Sequence, residues 1–258
     1  EAPRGCGGNT LTQNYAGPAF RHAALIHTLT PVEAGHVGEH FPGQPLVTIP
    51  QGIDLPAIEQ QLAEIPPGDP GEPPYFLFLG RLNPVKGLHL LIRAFAQLPH
   101  TEFTLKLAGP AQARDAQYAI DLQHLVQELG LGERVQFLGR VTGAPKWKLY
   151  RDAWAFCLPS FSEGMPMVSL EAAACATPVL TTRSSGVISQ WGERGGMLLE
   201  PVVESLLDGL RQAAGWGRAE RDQRGASLRG LVQEQYSWEV VLPQWLDVYT
   251  RLLEKNTP

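Results

Sequence analysis

The stretch Tyr75-Phe-Leu-Phe-Leu-Gly-Arg-Leu-Asn-Pro-Val-Lys-Gly87 decides the fold. Its first five residues form a continuous apolar run, which is typical of a strand covered by helices on both faces. After the glycine- and proline-containing turn, apolar residues recur at helical spacing, at Leu88, Leu91, Ile92, Phe95 and Leu98. A buried strand, a turn and an amphipathic helix in succession form the repeating unit of a parallel sheet.

The same alternation continues toward the C-terminus. Further strands are predicted at 103–108, 135–138, 154–158, 179–182 and 196–199. Helices are predicted at 115–130, 145–152, 166–175, 202–214 and 217–254. This order predicts an α/β fold, a doubly wound parallel sheet of the Rossmann-like kind. Ligands of such sheets bind at the carboxyl ends of the strands, so the loops at those ends are the places to look for chemistry.

The N-terminal side of the chain is less regular. Residues 1–45 show no sustained pattern, although the short apolar runs 23–26 and 46–49 predict two buried strands. The run Pro-Pro-Gly-Asp-Pro-Gly-Glu-Pro-Pro at 66–74 is the strongest loop signal in the chain, and residues 55–74 are expected to form a linker.

Composition excludes several classes of protein. A chain of 258 residues that is 43% hydrophobic can bury a large core. Its net charge of −5, without a stripe of Lys or Arg, argues against nucleic acid as a partner. Three cysteines (Cys6, Cys157 and Cys175) form neither a disulfide framework nor a zinc motif, and Cys157 is expected to be a buried structural thiol. No apolar stretch reaches the length of a membrane span and no signal peptide opens the chain.

These features predict a cytoplasmic location and leave peripheral contact with the inner face of the plasma membrane open. Residue 1 is Glu and not Met. We therefore expect the sequence to begin inside a gene product, after processing, or at an artificial boundary.

The loop after the first strand presents two cations, Arg81 and Lys86, beside a helix N-terminus. Gly80 permits a sharp turn, and Gly87 permits a close approach where the helix begins. Two cations and a helix dipole suit a diphosphate. Short solvated basic turns are also common, and this loop alone does not separate the two interpretations.

A second motif, Pro159-Ser-Phe-Ser-Glu-Gly-Met-Pro-Met-Val-Ser-Leu-Glu171, places two carboxylates at another strand end. A carboxylate that accepts two hydroxyl protons is a common way to hold a ribose or sugar diol. The backbone N–H groups of residues 165–168 are expected to form a further anion site. In the alternative interpretation, Glu163 is a helix-terminal charge and Glu171 an exposed helix residue. That alternative leaves unexplained why both flank a glycine-containing turn.

Together these motifs resemble those of glycosyltransferase family 4, in the family's order and at its spacing over about residues 73–200. The matching segments are Gly80-Arg-Leu-x-Pro-x-Lys-Gly87, Phe137-Leu-Gly-Arg-Val141, Leu158-Pro-Ser-x-x-Glu-Gly164, Glu171-Ala172 and Pro178-Val179. Residues 24–33 and 49–54 resemble that family's interdomain crossover. Two departures are mild: Cys175-Ala-Thr177 stands where the family usually has a glycine, and Pro50-Gln-Gly52 stands for Pro-Asn-Gly.

The resemblance implies a GT-B architecture, in which two Rossmann-like domains face each other across the active site, and this chain holds one half. It assigns Glu163 as the catalytic group that contacts the transferred sugar, and Glu171 as the ligand of the ribose. The remaining donor contacts that it implies are Gly80, Arg81 and Lys86 at the diphosphate, Arg140 and Val141 at the base, and the main chain of Gly164, Met165, Pro166 and Met167 at the phosphate and sugar.

The resemblance also implies domain boundaries. Residues 1–54 would be a remnant of the acceptor domain with the crossover, 55–74 a linker, 75–235 the nucleotide-sugar-binding domain and 236–258 a helix that crosses toward the acceptor domain. Two complete domains need ~300–400 residues, so most of the acceptor domain is expected to be missing from this chain.

No histidine is assigned a catalytic role. The amphipathic C-terminal helix predicts an exposed apolar surface and hence poor solubility or self-association.

The resemblance therefore implies a retaining glycosyltransferase. It would move a sugar from a nucleotide-diphosphate donor to a glycan or lipid-linked acceptor, in the synthesis of surface polysaccharide or lipopolysaccharide. No cofactor and no divalent metal are expected, and the sequence contains no Asp-x-Asp metal motif. Two alternatives stay open: a nucleotide-sugar-binding module without turnover, and another GT-B activity such as that of a phosphorylase or an epimerase.

Overall fold

The computed structural model describes residues 17–66, 68, 71–99 and 102–255. Cys6 and its glycine-rich surroundings lie outside this range. The first described segment contains two helices, α1 (Gly17–His22) and α2 (Pro31–His40). It also contains a small parallel sheet of two strands, β1 (Ile26–Thr28) and β2 (Leu46–Thr48). Thr30 caps α2 by accepting a hydrogen bond from the Glu33 N–H. The expectation of an irregular segment was therefore wrong for these residues.

A six-stranded parallel sheet forms the centre of the molecule. Its strands are β3 (Tyr75–Leu79), β4 (Thr104–Ala108), β5 (Val135–Gly139), β6 (Ala155–Leu158), β7 (Val179–Thr182) and β8 (Met197–Leu199). The strand order is β5-β4-β3-β6-β7-β8, and every pairing is parallel. The order reverses direction at β3, between β4 and β6, which is the arrangement of a doubly wound sheet. The predicted fold class is confirmed.

Helices cover both faces of this sheet. They are α3 (Leu55–Ala63), α4 (Leu88–Ala96), α5 (Ala116–Glu128), α6 (Ala144–Asp152), α7 (Met167–Ala174), α8 (Gln190–Glu193), α9 (Val203–Ala214) and α10 (Arg218–Tyr236). The last helix, α11 (Trp238–Lys255), packs on α10 and, through Trp245, on His27 of β1. Helices α5, α4 and α9 pack side by side, and α3, α6, α7 and α10 form a second row. Phe76, Leu77 and Phe78 of β3 are fully buried, which explains why β3 reads as a continuous apolar run.

Three predicted boundaries need correction. Residues 55–63, assigned to a linker, form helix α3, capped by Asp54 and anchored in the core by the buried Leu55 and Ile58. The helix predicted over 217–254 is two helices, because the chain is extended at Ser237, between α10 and α11. Helix α7 begins at Met167, and Pro166, expected inside its first turn, is the capping residue before it.

The chain enters and leaves the sheet domain at neighbouring points. The Ile53 N–H donates to the carbonyl oxygen of Tyr236 at 2.7 Å, and the Trp238 N–H donates to that of Ile53 at 3.3 Å. These bonds form a parallel bridge between Ile53 and Ser237. A side chain at Gly52 would overlap the indole ring of Trp238, since an added Cβ would lie 2.5 Å from it. The two crossings are therefore packed against each other.

Cys157 and Cys175 are free and buried, as predicted for Cys157. Burial raises the pKa of the Cys157 thiol and raises the pKa of Cys175 to about 12, so both stay protonated at neutral pH. Within the described residues, no helix combines the length and the apolar character that crossing a membrane requires.

Candidate functional site

The loop after β3 is fixed on both sides. The Gly80 N–H donates to the carbonyl oxygen of Ala108 at 2.9 Å, which joins this loop to the end of β4. The Asn83 side chain accepts from the Lys86 N–H at 3.3 Å and so caps a 3₁₀ turn over Pro84–Lys86. Gly87 then has φ +65°, and an added Cβ there would lie 2.3 Å from the carbonyl oxygen of Pro159. Only glycine fits this close approach, as the sequence predicted.

The loop after β6 lies directly beside the loop after β3. The Phe161 N–H donates to the carbonyl oxygen of Val85 at 2.9 Å, and the Glu163 N–H donates to that of Ser184 at 3.2 Å. Phe161 also stacks on His89, with ring centroids 6.0 Å apart. The carboxyl ends of β3, β6 and β7 are thus connected by hydrogen bonds and ring contact, and Glu163 lies where they meet.

Glu163 and Lys86 form an ion pair. The Lys86 Nζ donates to Glu163 Oε1 at 2.6 Å, and the Ser160 hydroxyl donates to the same oxygen at 2.5 Å. The side chains of Lys86 and Glu163 are only 13% and 14% exposed. A pair so shielded from water is attracted more strongly than a surface pair.

Arg81, the other predicted phosphate ligand, lies apart from this ion pair. Its side chain is exposed, and its Nη1 lies 3.5 Å from Oε1 of Gln112 on the loop after β4. The structure therefore places the two predicted cations differently: Lys86 is held against a carboxylate, and Arg81 faces solvent.

Glu171 on α7 is held by two residues of α6. The Lys146 Nζ donates to its Oε1 at 2.9 Å, and the Tyr150 hydroxyl donates to its Oε2 at 3.0 Å. Sequence reasoning missed both partners. Their spacing of four residues within the predicted helix 145–152 places them on one helix face, which was the signal available.

Tyr150 is fully buried, and burial raises the pKa of its hydroxyl well above the ordinary value. The nearby charge of Glu171 raises this pKa further. The hydroxyl therefore keeps its proton and remains a donor at neutral pH.

The predicted backbone anion site at residues 165–168 is smaller than expected. Pro166 has no N–H, and the Met167 N–H donates to the carbonyl oxygen of Met165 at 3.1 Å. The Met165 sulfur in turn accepts from the Gln51 N–H at 3.2 Å. The segment therefore contacts the crossover, and two of the four positions cannot offer an N–H to an anion.

Arg140 and Val141 follow β5 at the same edge of the sheet. Arg140 is exposed, whereas Val141 is half-buried against the core. The Gly109 N–H donates to the carbonyl oxygen of Gly139 at 2.6 Å, which joins the ends of β4 and β5. All the predicted site residues thus lie at the carboxyl edge of the sheet or on α7, where Glu171 is the fifth residue. The predicted contacts at the base stay a prediction.

Two cavities border the site. One, of about 250 Å³, lies between α3, α6 and α7, and Glu171, Trp147 and Gln61 are among the residues that line it. The other, of about 170 Å³, is largely apolar and lies beside Met165 and Pro166. Within the described residues no cluster of His, Cys, Asp and Glu could hold a metal ion.

The family model described as "Glycosyl transferases group 1" matches residues 61–217, which include both loops and both carboxylates. The chain belongs to the group 1 glycosyltransferases. Its sheet has the Rossmann-like fold that forms one half of a GT-B glycosyltransferase, in agreement with the resemblance seen in the sequence.

Relatives of this chain agree with that assignment. An uncharacterized glycosyltransferase of Methanocaldococcus jannaschii is 34% identical over 182 residues, which are 69% of this chain and 45% of the relative. A D-inositol 3-phosphate glycosyltransferase of Saccharomonospora viridis is 28% identical over 235 residues, 85% of this chain and 54% of the relative. The structure of sucrose-phosphate synthase from Thermosynechococcus elongatus superposes with a TM-score of 0.80 at 26% identity, over 93% of this chain and 61% of that chain. The chain spans about half the length of these curated relatives.

Proposed function

We propose that this chain carries the donor-binding half of a retaining glycosyltransferase that uses a nucleotide-diphosphate sugar. The acceptor would be a glycan or a lipid-linked glycan, and the product a surface polysaccharide or lipopolysaccharide. The observation that carries the proposal is the meeting of Lys86 and Glu163 at the carboxyl edge of the sheet, on loops joined by hydrogen bonds. Membership of the group 1 glycosyltransferases and the named transferase activities of the relatives support it.

In the proposed reaction the bond between the anomeric carbon and the diphosphate oxygen breaks, and its electron pair leaves with the diphosphate. Negative charge then grows on that diphosphate, and Lys86, with Arg81 on the same loop, would stabilise it. Gly80 would shape this loop without donating to the diphosphate, because its N–H is bonded to the carbonyl oxygen of Ala108. Positive charge grows on the sugar ring, and the Glu163 carboxylate is the group that would stabilise it. The acceptor hydroxyl forms the new bond on the same face of the sugar, and its proton passes to the oxygen of the departing diphosphate.

Donor binding would replace the Lys86–Glu163 ion pair. The diphosphate takes the place of Glu163 beside the Lys86 ammonium, and Glu163 is released toward the sugar. Both charges thereby become available when the donor is bound and neutralise each other when it is not. The exposed Arg81 would fold onto the diphosphate from the solvent side.

The rest of the donor would extend along the carboxyl edge of the sheet. The Glu171 carboxylate would accept hydrogen bonds from the ribose hydroxyls, and the main chain at Arg140 and Val141 would hold the base. The main chain from Gly164 to Met167 would border the phosphate and sugar. The chemistry proposed here needs no metal ion and no cofactor, because lysine and arginine supply the positive charge.

A second candidate is a donor-binding module without turnover, and it is favoured by the Lys86–Glu163 ion pair, which engages the carboxylate that the reaction would need. Turnover with added acceptor separates the two. Location in the cytoplasm, peripheral contact with the plasma membrane and self-association through apolar surface belong to the proposal as well.

The test of the donor site is calorimetric titration with UDP, GDP and ADP, each against its free nucleoside. Replacing Arg81 and Lys86 together by Ala should weaken diphosphate binding by about tenfold or more and leave nucleoside binding unchanged, because the two cations attract only the diphosphate. A tenfold change in Kd corresponds to ~1.4 kcal/mol. The matched control replaces Arg211 and Arg251, two exposed arginines on other helices, and removes the same charge. Equal losses for nucleoside and diphosphate would overturn the phosphate role.

A further inference from the structure

The Glu171 carboxylate accepts hydrogen bonds from two side chains, one on each of its oxygens. An ionised carboxylate offers about four acceptor positions, two on each oxygen. Tyr150 takes one position on Oε2, and Lys146 takes one on Oε1. Among the residues that the structure describes, one position on each oxygen therefore remains, and two adjacent positions are what a vicinal diol requires.

We propose that Tyr150 is a positioning residue for Glu171, which fixes the carboxylate so that its two remaining acceptor positions face the two ribose hydroxyls of the donor. The inference rests on the proposed function, because it concerns the residue to which that function assigns the ribose. Tyr150 itself does not touch the donor and acts through Glu171.

Tyr150 is suited to this role because its ring is buried and packed against other aromatic rings. Its ring is 0% exposed and lies between Phe156 and Trp147, with ring centroids 5.6 and 6.1 Å away. The Thr177 hydroxyl donates to the Tyr150 carbonyl oxygen and fixes the end of α6 against the start of β7. A donor held this firmly dictates the orientation of the carboxylate that accepts from it.

Lys146 acts differently on the same carboxylate. Its side chain is 20% exposed, and its Nζ lies 4.0 Å from the centroid of the Trp147 ring, so it is partly solvated. A flexible ammonium can shift when a ligand enters, whereas the phenol cannot. Lys146 therefore supplies positive charge, and Tyr150 sets the geometry.

The experiment deletes the ribose hydroxyls from the ligand and the Tyr150 hydroxyl from the protein. UDP, GDP and ADP are titrated calorimetrically, each beside its 2′,3′-dideoxy counterpart. The ratio of the two Kd values measures what the diol contributes, and we expect about tenfold or more in the unaltered chain, because hydrogen bonds to charged groups are the stronger ones. In Tyr150→Phe this ratio should fall to within about twofold, with the Kd of the dideoxy nucleotide unchanged.

The matched control is Tyr75→Phe. Tyr75 is also buried, and its hydroxyl donates to the carbonyl oxygen of Leu149, the residue before Tyr150, at 2.9 Å. The Tyr75→Phe variant removes a similar buried hydrogen bond from the same helix without touching Glu171. The ratio of the two Kd values should therefore stay at its original value. Thermal unfolding of both variants fixes a temperature at which all three proteins are folded.

The outcomes separate this inference from the proposed function. A wild-type ratio near one, or no binding of any of these nucleotides, overturns the ribose role of Glu171 and this inference with it. A large wild-type ratio that survives in Tyr150→Phe overturns the inference alone. So does a Tyr150→Phe variant that loses UDP and dideoxy-UDP affinity equally, because that pattern marks a merely structural residue.

Discussion

Lys86 and Glu163 lie 77 residues apart in the chain and form an ion pair in which the Lys86 Nζ donates to Glu163 Oε1 at 2.6 Å. Each residue follows one of two strands, β3 and β6, that pair directly in the sheet. The loops meet because parallel strands end at the same edge. The ion pair therefore joins a cation and a carboxylate that act on different parts of the donor in the proposed reaction.

Replacing Glu163 by Gln frees Lys86 and removes a negative charge beside the expected diphosphate. We predict that Glu163→Gln binds UDP or GDP roughly threefold more tightly, since opening the pair no longer opposes binding. The same variant should lose preference for UDP-glucose or GDP-mannose over the free diphosphate. Calorimetric titration measures both. Glu200→Gln, which changes an exposed glutamate, is the control. Weaker binding of the diphosphate would contradict the prediction.

Ala176 has φ +55°, and it is the non-glycine residue with a left-handed backbone within the described part of the chain. It stands at the position where the resemblance leads one to expect glycine, and a Cβ costs roughly 1–2 kcal/mol in that conformation. Ala176→Gly should therefore raise the free energy of unfolding by about 1 kcal/mol. Urea unfolding measures it.

The control for that stabilisation is Ala119→Gly, within helix α5. There the same chemical change should lower stability by about 1 kcal/mol, because glycine is a poor helix former. Should both variants be destabilised, the backbone strain assigned to Ala176 would be refuted.

His89 makes stability depend on pH. Burial, with the charge of Arg93 adding to it, lowers the pKa of His89 below its ordinary value of 6.5. The folded state then binds fewer protons than the unfolded state as pH falls below 6.5, so His89 costs stability in acid. We predict that His89→Gln, which cannot titrate, loses less stability than the unaltered chain between pH 8 and pH 5.

Urea unfolding at both pH values, with His124→Gln as the control at an exposed position, measures this difference. The Tyr118 hydroxyl lies 3.0 Å from Nδ1 of His89, and the His89→Gln variant would lose this partner, so its stability should fall somewhat at both pH values. Only the loss of stability between pH 8 and pH 5 tests the lowered pKa of His89. An equal loss in His89→Gln and in the unaltered chain would rule out the effect of burial on that pKa.

Helix α11 exposes an apolar stripe, which we name the C-terminal stripe: Leu242, Leu246, Tyr249 and Leu253. Their spacing places them on one helix face, and Leu253 is 71% exposed. We predict that this chain self-associates with rising concentration, and that Leu246→Glu with Leu253→Glu suppresses association. Analytical ultracentrifugation measures it. The control replaces two exposed apolar residues elsewhere, Ile120→Glu and Val202→Glu. An association that both double variants reduce alike would exclude the stripe.

The sheet and the two functional loops were predictable from the sequence because buried parallel strands read as apolar runs, and Tyr75–Leu79 is one. Helix α3 was missed: Pro56 and the polar run Glu59-Gln-Gln61 obscured a helix whose apolar residues, Leu55, Ile58 and Leu62, are only three or four apart. Its packing against α6 is a long-range contact that local patterns do not encode.

The partners of the two carboxylates were hidden for the same reason. Tyr150 and Glu171 lie 21 residues apart on different helices, and their contact depends on how α6 and α7 pack over the sheet. The expectation of free amides near Met167 failed on a detail of the chain before α7, where the Met167 N–H turns back to the Met165 carbonyl oxygen. Motifs predict which residues take part, and packing decides what they face.

The bridge between Ile53 and Ser237 holds the two ends of the segment 53–237 side by side. The segment that contains the six-stranded sheet and its helices begins and ends at adjacent points of the backbone, as a domain inserted into a host protein does. Transplanting such a unit requires only a host that offers two chain ends side by side, which suggests exchange of residues 53–237 between related enzymes as a way to swap donor preference.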